Sequence, residues 1–310
     1  MSRKKPRIGI TLGDCAGIGP EIVALALKSD WLASSAEYGV IGKYPECSLG
    51  KPTPETARAA AAALEEAVIL ARRGELDAIV TGPVHKARMY EVGFRFLGQT
   101  EFFAERCGVK DFAMCLTGGQ LTVALVTAHI PLRKVPRALE QSDIVRVGLL
   151  LAEFLRCRGK SSPRIAVAGL NPHAGESGKL GCEEIEIIGP AVEELQSRIE
   201  NRESRIVGPV SPDTVFNRAI EGEFDAVLCM YHDQGLIPLK LHAFHSGVNL
   251  TLGLPFPRTS PDHGTAFEIA GKGIARPDSM IAAINLAVEL ACRGARRAPI
   301  KPTVTERRDN

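Results

Sequence analysis

The chain of 310 residues has no run of about 18 apolar residues, so nothing in it is predicted to span a membrane. Its first residues lack the apolar stretch of ~7–15 residues and the small-residue cleavage site of an export signal, so the expected location is cytoplasmic. Strong charge of either sign is missing too. The 38 Lys and Arg stand against 36 Asp and Glu, a net +2 that gives no reason to expect nucleic acid as a partner. Eight cysteines, at 15, 47, 107, 115, 157, 182, 229 and 292, form no CxxC pair. They read as reduced thiols, several of them buried, with no catalytic or metal role. There is no internal repeat and no low-complexity linker. The glycine-rich segment Gly13-Asp14-Cys15-Ala16-Gly17-Ile18-Gly19 is neither a Walker loop nor the GxGxxG dinucleotide fingerprint.

What is present is an ordinary globular composition, 45% hydrophobic and 24% charged. The length exceeds a single core, which predicts one large α/β domain or two smaller ones. Strand-type runs (7–12, 77–81, 121–127, 164–169, 225–230) alternate with helix-type runs (22–27, 56–73, 137–156, 183–198, 279–292). This alternation predicts a parallel sheet with helices on both faces. The basic run at 2–5 leads into the first strand, and the Arg- and Pro-rich tail from Gly294 is expected to fray.

Unusual polar chemistry follows the strands: Gly13-Asp14, Thr81-Gly82-Pro83, Ala128-His129, Asn171-Pro172-His173 and Tyr231-His232-Asp233. In open α/β sheets ligands bind outside the carboxyl ends of strands, so these five ends are expected to converge on one cleft. His129, His173 and His232 occupy equivalent positions, 44 and 59 residues apart. A single histidine at a strand end is commonly a hydrogen-bonded structural residue. Three protein ligands with an open position describe a catalytic metal site, here assembled by the fold and not by a local finger motif. His85, beside Lys86, is a candidate cleft residue, while His242 and His245 read as loop surface. His263, in Asp262-His263-Gly264-Thr265, reads as opening a helix, where it would orient a ligand or cap the helix.

Anion binders are present as well. Asp14 argues against simple phosphate cradling and suits a polar substrate group, as Asp233 does beside His232. Gln99 and Thr100 offer an amide and a hydroxyl before an apolar helix, although Thr100 also reads as a plain N-cap. Lys240, Asn249 and Arg258 follow the third histidine, and the two cations suit a phosphate or carboxylate.

The segments 13–21, 81–86, 169–176, 231–235 and 258–266 closely resemble 4-hydroxythreonine-4-phosphate dehydrogenases of pyridoxal 5'-phosphate biosynthesis, in the same order from about residue 7 to 290. The resemblance implies two α/β/α domains like those of isocitrate and isopropylmalate dehydrogenases, with a cleft between them. Residues 1–115 plus 236–310 would form the first domain. Residues 116–235 would form the second, with the metal histidines and dimer contacts. It implies a homodimer with its active site at the subunit interface and a small phosphorylated hydroxy-acid substrate. It also implies NAD or NADP, bound without a Rossmann fingerprint, and a divalent metal such as zinc, magnesium or cobalt. By the same resemblance the metal ligands fall on His129, His173 and His232. The substrate contacts fall on Gln99, Thr100, Lys240, Asn249 and Arg258.

Three departures stand out. Gln99 replaces the histidine usual in the family and can carry no charge. Cys15 stands where proline is common. The stretch 30–54 is shorter than its counterpart, with residues 38–43 as the remnant of a second strand. The rival activities are oxidation of 4-phospho-D-threonate or phospho-erythronate, oxidation of aromatic cis-dihydrodiols, and a non-catalytic metal-binding role on the same fold.

Overall fold

The computed structural model describes residues 5–199 and 203–293, so the tail expected to fray lies outside the described residues. Ten strands form one sheet in the order β2-β1-β3-β10-β9-β4-β5-β8-β6-β7. They are β1 (Arg7–Thr11), β2 (Glu37–Ile41), β3 (Ala78–Thr81), β4 (Ala113–Gly118), β5 (Leu121–Leu125), β6 (Arg164–Ala168), β7 (Arg205–Val210), β8 (Ala226–Cys229), β9 (Val248–Leu252) and β10 (Arg258–Pro261). The helices are α1 (Gly19–Leu27), α2 (Pro54–Arg72), α3 (Lys86–Glu91), α4 (Gln99–Cys107), α5 (Val135–Ala138), α6 (Gln141–Cys157), α7 (Gly189–Arg198), α8 (Val215–Ile220), α9 (His232–Ala243) and α10 (Asp278–Arg293).

Local signals place several elements well. The Ala-rich α2 starts at a capping box: Thr53 Oγ1 accepts from Thr56 N at 3.3 Å, and Thr56 Oγ1 accepts from Thr53 N at 3.1 Å. Pro54 follows at the first helical position, where its fixed φ suits the turn. The remnant of a second strand is β2, an edge strand parallel to β1. The single helix expected over 137–156 is two, because Leu139 is extended (ψ 123°) between α5 and α6. The helix expected over 183–198 begins as a π-helical turn, Glu184–Ile188, and becomes α-helical only in α7.

The all-parallel expectation is corrected. The pairings β10–β9, β9–β4 and β4–β5 are antiparallel, while the others are parallel. Three successive reversals make the flanks β2-β1-β3-β10 and β5-β8-β6-β7 run in opposite directions. The carboxyl ends of β1 and β3 therefore leave one edge of the sheet, and those of β5, β6 and β8 leave the other. The expected convergence on one cleft holds in part: Gly82-Pro83 after β3 and the histidines after β5 and β8 line one cavity, while Asp14 and His173 lie outside it.

Side-chain alternation divides the core by face. Ile8, Ile10, Val80, Cys115, Ala124, Ile165 and Val167 join one continuous cluster that includes residues of α1, α6, α7 and α10. On the opposite face are two separate clusters. One packs Ile79 with α2, Met89, Phe102 and Phe103. The other packs Leu116, Val123 and Val227 with residues of α8 and α9. Between these two clusters the sheet face over β10, β9 and β4 is open to the candidate site.

Candidate active site

In β9, Val248, Leu250 and Leu252 point to the continuous core, so Asn249 and Thr251 must point the other way. Likewise Thr259 of β10 donates to Ala283 O of α10 at 2.8 Å, leaving Arg258 and Ser260 on the site face. There a cavity of about 340 Å³ is lined by Gln99, Thr100, Asn249, Arg258, Lys240 and His263, with His129 and His232 beside them. The five expected substrate contacts are thus brought together, along with two of the three histidines.

Arg258 is the electrostatic centre. It is 2% exposed. Its Nη2 donates to Thr81 Oγ1 at 2.6 Å and to Gln99 Oε1 at 2.9 Å, and the guanidinium lies 5.4 Å over the Phe103 ring. Its Nε has no hydrogen-bond partner, and among the described residues no carboxylate lies within ion-pair distance. Burial pushes the guanidinium down to about 9, with Glu101 acting in the other direction. A buried, unpaired cation is costly, and an anionic ligand in the cavity would neutralise it. Gln99 holds Arg258 through Oε1, and its Nε2 makes a longer contact with Gly82 O at 3.4 Å. Thr100 is not the N-cap of α4; Gly98 is, and Thr100 Oγ1 lies 3.2 Å from Thr251 Oγ1. Asn249 Oδ1 is buried without a partner. Lys240, on α9, meets Asp262 Oδ2 at 3.5 Å. Burial raises the Asp262 carboxyl above its usual range despite that lysine.

The His129 and His232 rings lie 5.7 Å apart between centroids. Each has a carboxylate on Nδ1: Glu101 Oε1 at 3.5 Å from His129, and Asp233 Oδ1 at 2.7 Å from His232. Such contacts orient an imidazole and leave Nε2 for a ligand. Burial raises the Glu101 carboxyl, but its contacts with His129, and Lys86 beyond, hold it below the usual range. His173 is not with them. It is exposed, outside the cavity lining, and among the described residues no three metal-ligating side chains cluster within the chain. His173 opens a left-handed stretch, with φ of 52°, 52°, 79°, 45° and 58° from His173 to Ser177. Each non-glycine residue there costs about 1–2 kcal/mol, and glycine escapes most of that cost. Ser177→Gly is expected to raise stability by about 0.5–1 kcal/mol in a denaturant titration; an unchanged midpoint would mean the turn carries no strain.

Asp14 does not line the cavity itself, although the Pro83 it is bonded to does. It is 1% exposed, accepts from Ala16 N at 3.1 Å through Oδ1, and donates from its own N–H to Pro83 O at 2.9 Å. The preceding Gly13 has φ +74°, and a Cβ there would meet Pro83 O at 2.1 Å. Gly13→Ala is therefore expected to destabilise the chain by about 3 kcal/mol, read as a shifted denaturation midpoint. Asp233 touches His232 but not the cavity. His263 follows β10 in a loop and opens no regular helix; its Nδ1 faces Gly264 O and its buried Nε2 is unpartnered. His85 is the N-cap of α3, accepting from Arg88 N, and stays outside the lining. His242 lies within α9, its Nε2 2.8 Å from Gln120 Oε1. All eight cysteines are free thiols, four of them buried.

With the geometry in place, four likenesses bear on it. The family model for "Pyridoxal phosphate biosynthetic protein PdxA" matches residues 24–287. The chain belongs to the PdxA family. A 4-hydroxythreonine-4-phosphate dehydrogenase of Desulfosudis oleivorans is 43% identical over 337 aligned positions, covering 95% of this chain and 99% of the relative. That alignment is longer than the 310-residue chain, so it opens gaps in this chain against the relative. The crystal structure of a 4-hydroxythreonine-4-phosphate dehydrogenase from Klebsiella pneumoniae superposes with a TM-score of 0.81 at 36% identity, covering 94% of this chain and 99% of that one. A β-decarboxylating dehydrogenase of Thermococcus kodakarensis (TM-score 0.50, 16% identity, 91% and 81% covered) shares the fold alone, which is the α/β class expected from the sequence.

Sequence reasoning missed several residues of this PdxA site. Glu101 sits one position after Thr100, where an acid in a first helical turn has an ordinary explanation. Lys86 is the cavity residue at the start of α3, although His85 drew the attention. Met89, Tyr90, Phe94 and Phe96 form an apolar wall that no polar motif announces.

Proposed function

We propose that the chain oxidises 4-phosphooxy-L-threonine with NAD or NADP and a divalent metal, and that the product decarboxylates to 3-amino-2-oxopropyl phosphate in pyridoxal phosphate synthesis. The observation that carries this reading is the buried, uncompensated Arg258 in one cavity with the paired imidazoles of His129 and His232, in a chain of the PdxA family. The residues fit a metal in part. Two imidazoles are oriented by carboxylates, and the buried Glu101 Oε2 and Asn249 Oδ1 lack partners.

The third ligand is His173 of a second copy. Exposed apolar residues surround all three histidines: Ile237, Leu241 and Phe244 along α9, Ile130 and Leu132 after His129, Leu180 and Ile185 beyond His173. On α9 the spacing i, i+4, i+7 makes one apolar stripe on the helix that begins with His232. A homodimer formed through these residues would place the active site at the subunit interface. The two-unit division, 1–115 plus 236–310 against 116–235, passes through β4 and α9, and the site draws residues from both units. The enzyme works in the cytoplasm on this reading.

Arg258 and Lys240 hold the substrate's anionic groups, Asn249 and Thr100 its polar ones, and the Met89–Phe96 wall keeps water from the reacting carbon. When bound, the metal supplies Lewis-acid polarisation of the substrate oxygen, and the nicotinamide supplies a hydride acceptor. The secondary alcohol loses a hydride and a proton. The C–CO2 bond then breaks, its electron pair passing into the new carbonyl, and a proton replaces CO2. Purified protein is expected to form NADH or NADPH from 4-phosphooxy-L-threonine, to stop with chelator and to recover with added metal. Exclusive turnover of 4-phospho-D-threonate would overturn the substrate, and activity surviving complete metal removal would overturn the metal.

A further inference from the structure

Glu184 has no part in the chemistry above, yet it is 3% exposed and sits at the start of the π-helical turn. Its Oε1 accepts from Leu170 N and Asn171 N, both at 2.7 Å, and its Oε2 accepts from Asn171 Nδ2 at 2.9 Å. The neighbouring Glu183 Oε2 accepts from the same amide at 2.8 Å. Among the described residues no cation pairs with Glu184, so three N–H donors from the entry to the His173 turn surround its carboxylate. The turn is wound directly on it: at Gly175, φ +79°, a Cβ would stand 2.6 Å from Glu184 Oε2.

We propose that Glu184 is the positioning residue for His173, holding the left-handed turn in the one conformation that presents this imidazole outward. The proposal rests on reading His173 as the third metal ligand, given to a second copy. Four L-residues in that turn, His173 and Ala174 before Gly175 and Glu176 and Ser177 after it, adopt positive φ, so the turn has no local reason to persist without an external clamp. A carboxylate suits the clamp because it only accepts, and all three groups aimed at it donate. Supporting groups of this kind fix ligand orientation, and their loss lowers metal affinity by about 10–100-fold.

The test is zinc affinity of the purified full-length protein, measured by competition with a chromogenic chelator, with melting temperature and oligomeric state in parallel. Glu184→Gln keeps one acceptor oxygen but turns a donor toward Asn171 Nδ2. It is expected to lose 10–100-fold in zinc affinity, to regain kcat at saturating zinc, and to melt and assemble like the parent. Asn171→Ala leaves both backbone bonds to Glu184 in place and is expected to lose a smaller, several-fold share. Wild-type affinity in Glu184→Gln overturns the positioning role. If that variant unfolds or melts much lower, Asn171→Ala decides, and its retaining full affinity at parental stability overturns the role. His173→Ala separates the two ideas. A variant that loses zinc while Glu184→Gln keeps it sinks only the positioning role, whereas undiminished zinc in His173→Ala sinks the ligand reading beneath it.

Discussion

Replacing His129 or His232 by alanine is expected to lower kcat/KM by at least about 1,000-fold, roughly 4 kcal/mol of transition-state stabilisation, with little change in folding. Both effects follow from where the rings sit. Their side chains are 28% and 33% exposed, so truncation leaves no sealed cavity behind. Each imidazole has a carboxylate at its Nδ1, and losing one ring removes a proposed ligand and strands that carboxylate. Glu101 is the more exposed to this consequence, because its other oxygen is already buried without a partner. The checks are metal content by atomic emission, NADH formation and melting temperature. A variant that melts like the parent and loses both metal and turnover supports the site. One that keeps its metal and most of its activity removes that histidine from it.

Arg258→Met is expected to move stability and function in opposite directions. The wild-type guanidinium is buried with neither an ion pair nor a partner for Nε, and the folded state bears the cost of keeping it charged. Burial lowers its pKa to about 9, below the unfolded value, so that cost is full below about pH 9 and declines as pH rises from there toward the unfolded value. A thioether of similar length removes the charge and keeps much of the contact with Phe103. The variant should therefore gain about 1–3 kcal/mol in a denaturant titration at neutral pH. Its substrate affinity should fall by about 1,000-fold, because the anion loses a charge-assisted anchor in a site shielded from water. Arg258→Lys should recover only part of that affinity, since a point charge cannot bond Thr81 and Gln99 while also facing the ligand. A variant that is destabilised, with KM unchanged, would make Arg258 a structural residue.

The sequence was most informative where one short stretch carries its own physics. The helical run of α2 and the apolar runs of β3, β5, β6 and β8 are local signals, and they appear within a residue or two of expectation. Two of the expected substrate contacts, Asn249 and Arg258, meet in the cavity for a different reason: strand alternation in β9 and β10 puts them on one face, opposite Gln99 and Thr100 of α4 and Lys240 of α9. What stayed hidden was pairing. Val248–Leu252 and Arg258–Pro261 are too short and too polar to announce two central strands. Nothing in either says that β9 runs against both neighbours. With the β4–β5 hairpin that reversal turns the two flanks of the sheet against each other, yet the end of β3 still meets His129 and His232 in the cavity. His173 was legible as a residue type in a suggestive place, but its left-handed backbone depends on Glu184, which follows it by eleven positions. The exposed apolar stripe of α9 was equally invisible, because solvent exposure is a property of the packed molecule.

The position of β10 also sets an order on biosynthesis. β3 leaves the ribosome early, and one of its two edges pairs with β1; the other waits for Arg258 and Thr259, about 180 residues later. Until those residues emerge, the nascent chain carries an unpaired edge of fully buried-type sequence, Ala78-Ile79-Val80-Thr81, which is a template for pairing with other chains. The cavity floor closes in the same event, since β9 and β10 bring Asn249, Thr251 and Arg258 together. A chain truncated before residue 258 would thus be a hazard to its neighbours as well as inactive, and complete synthesis must precede sheet closure.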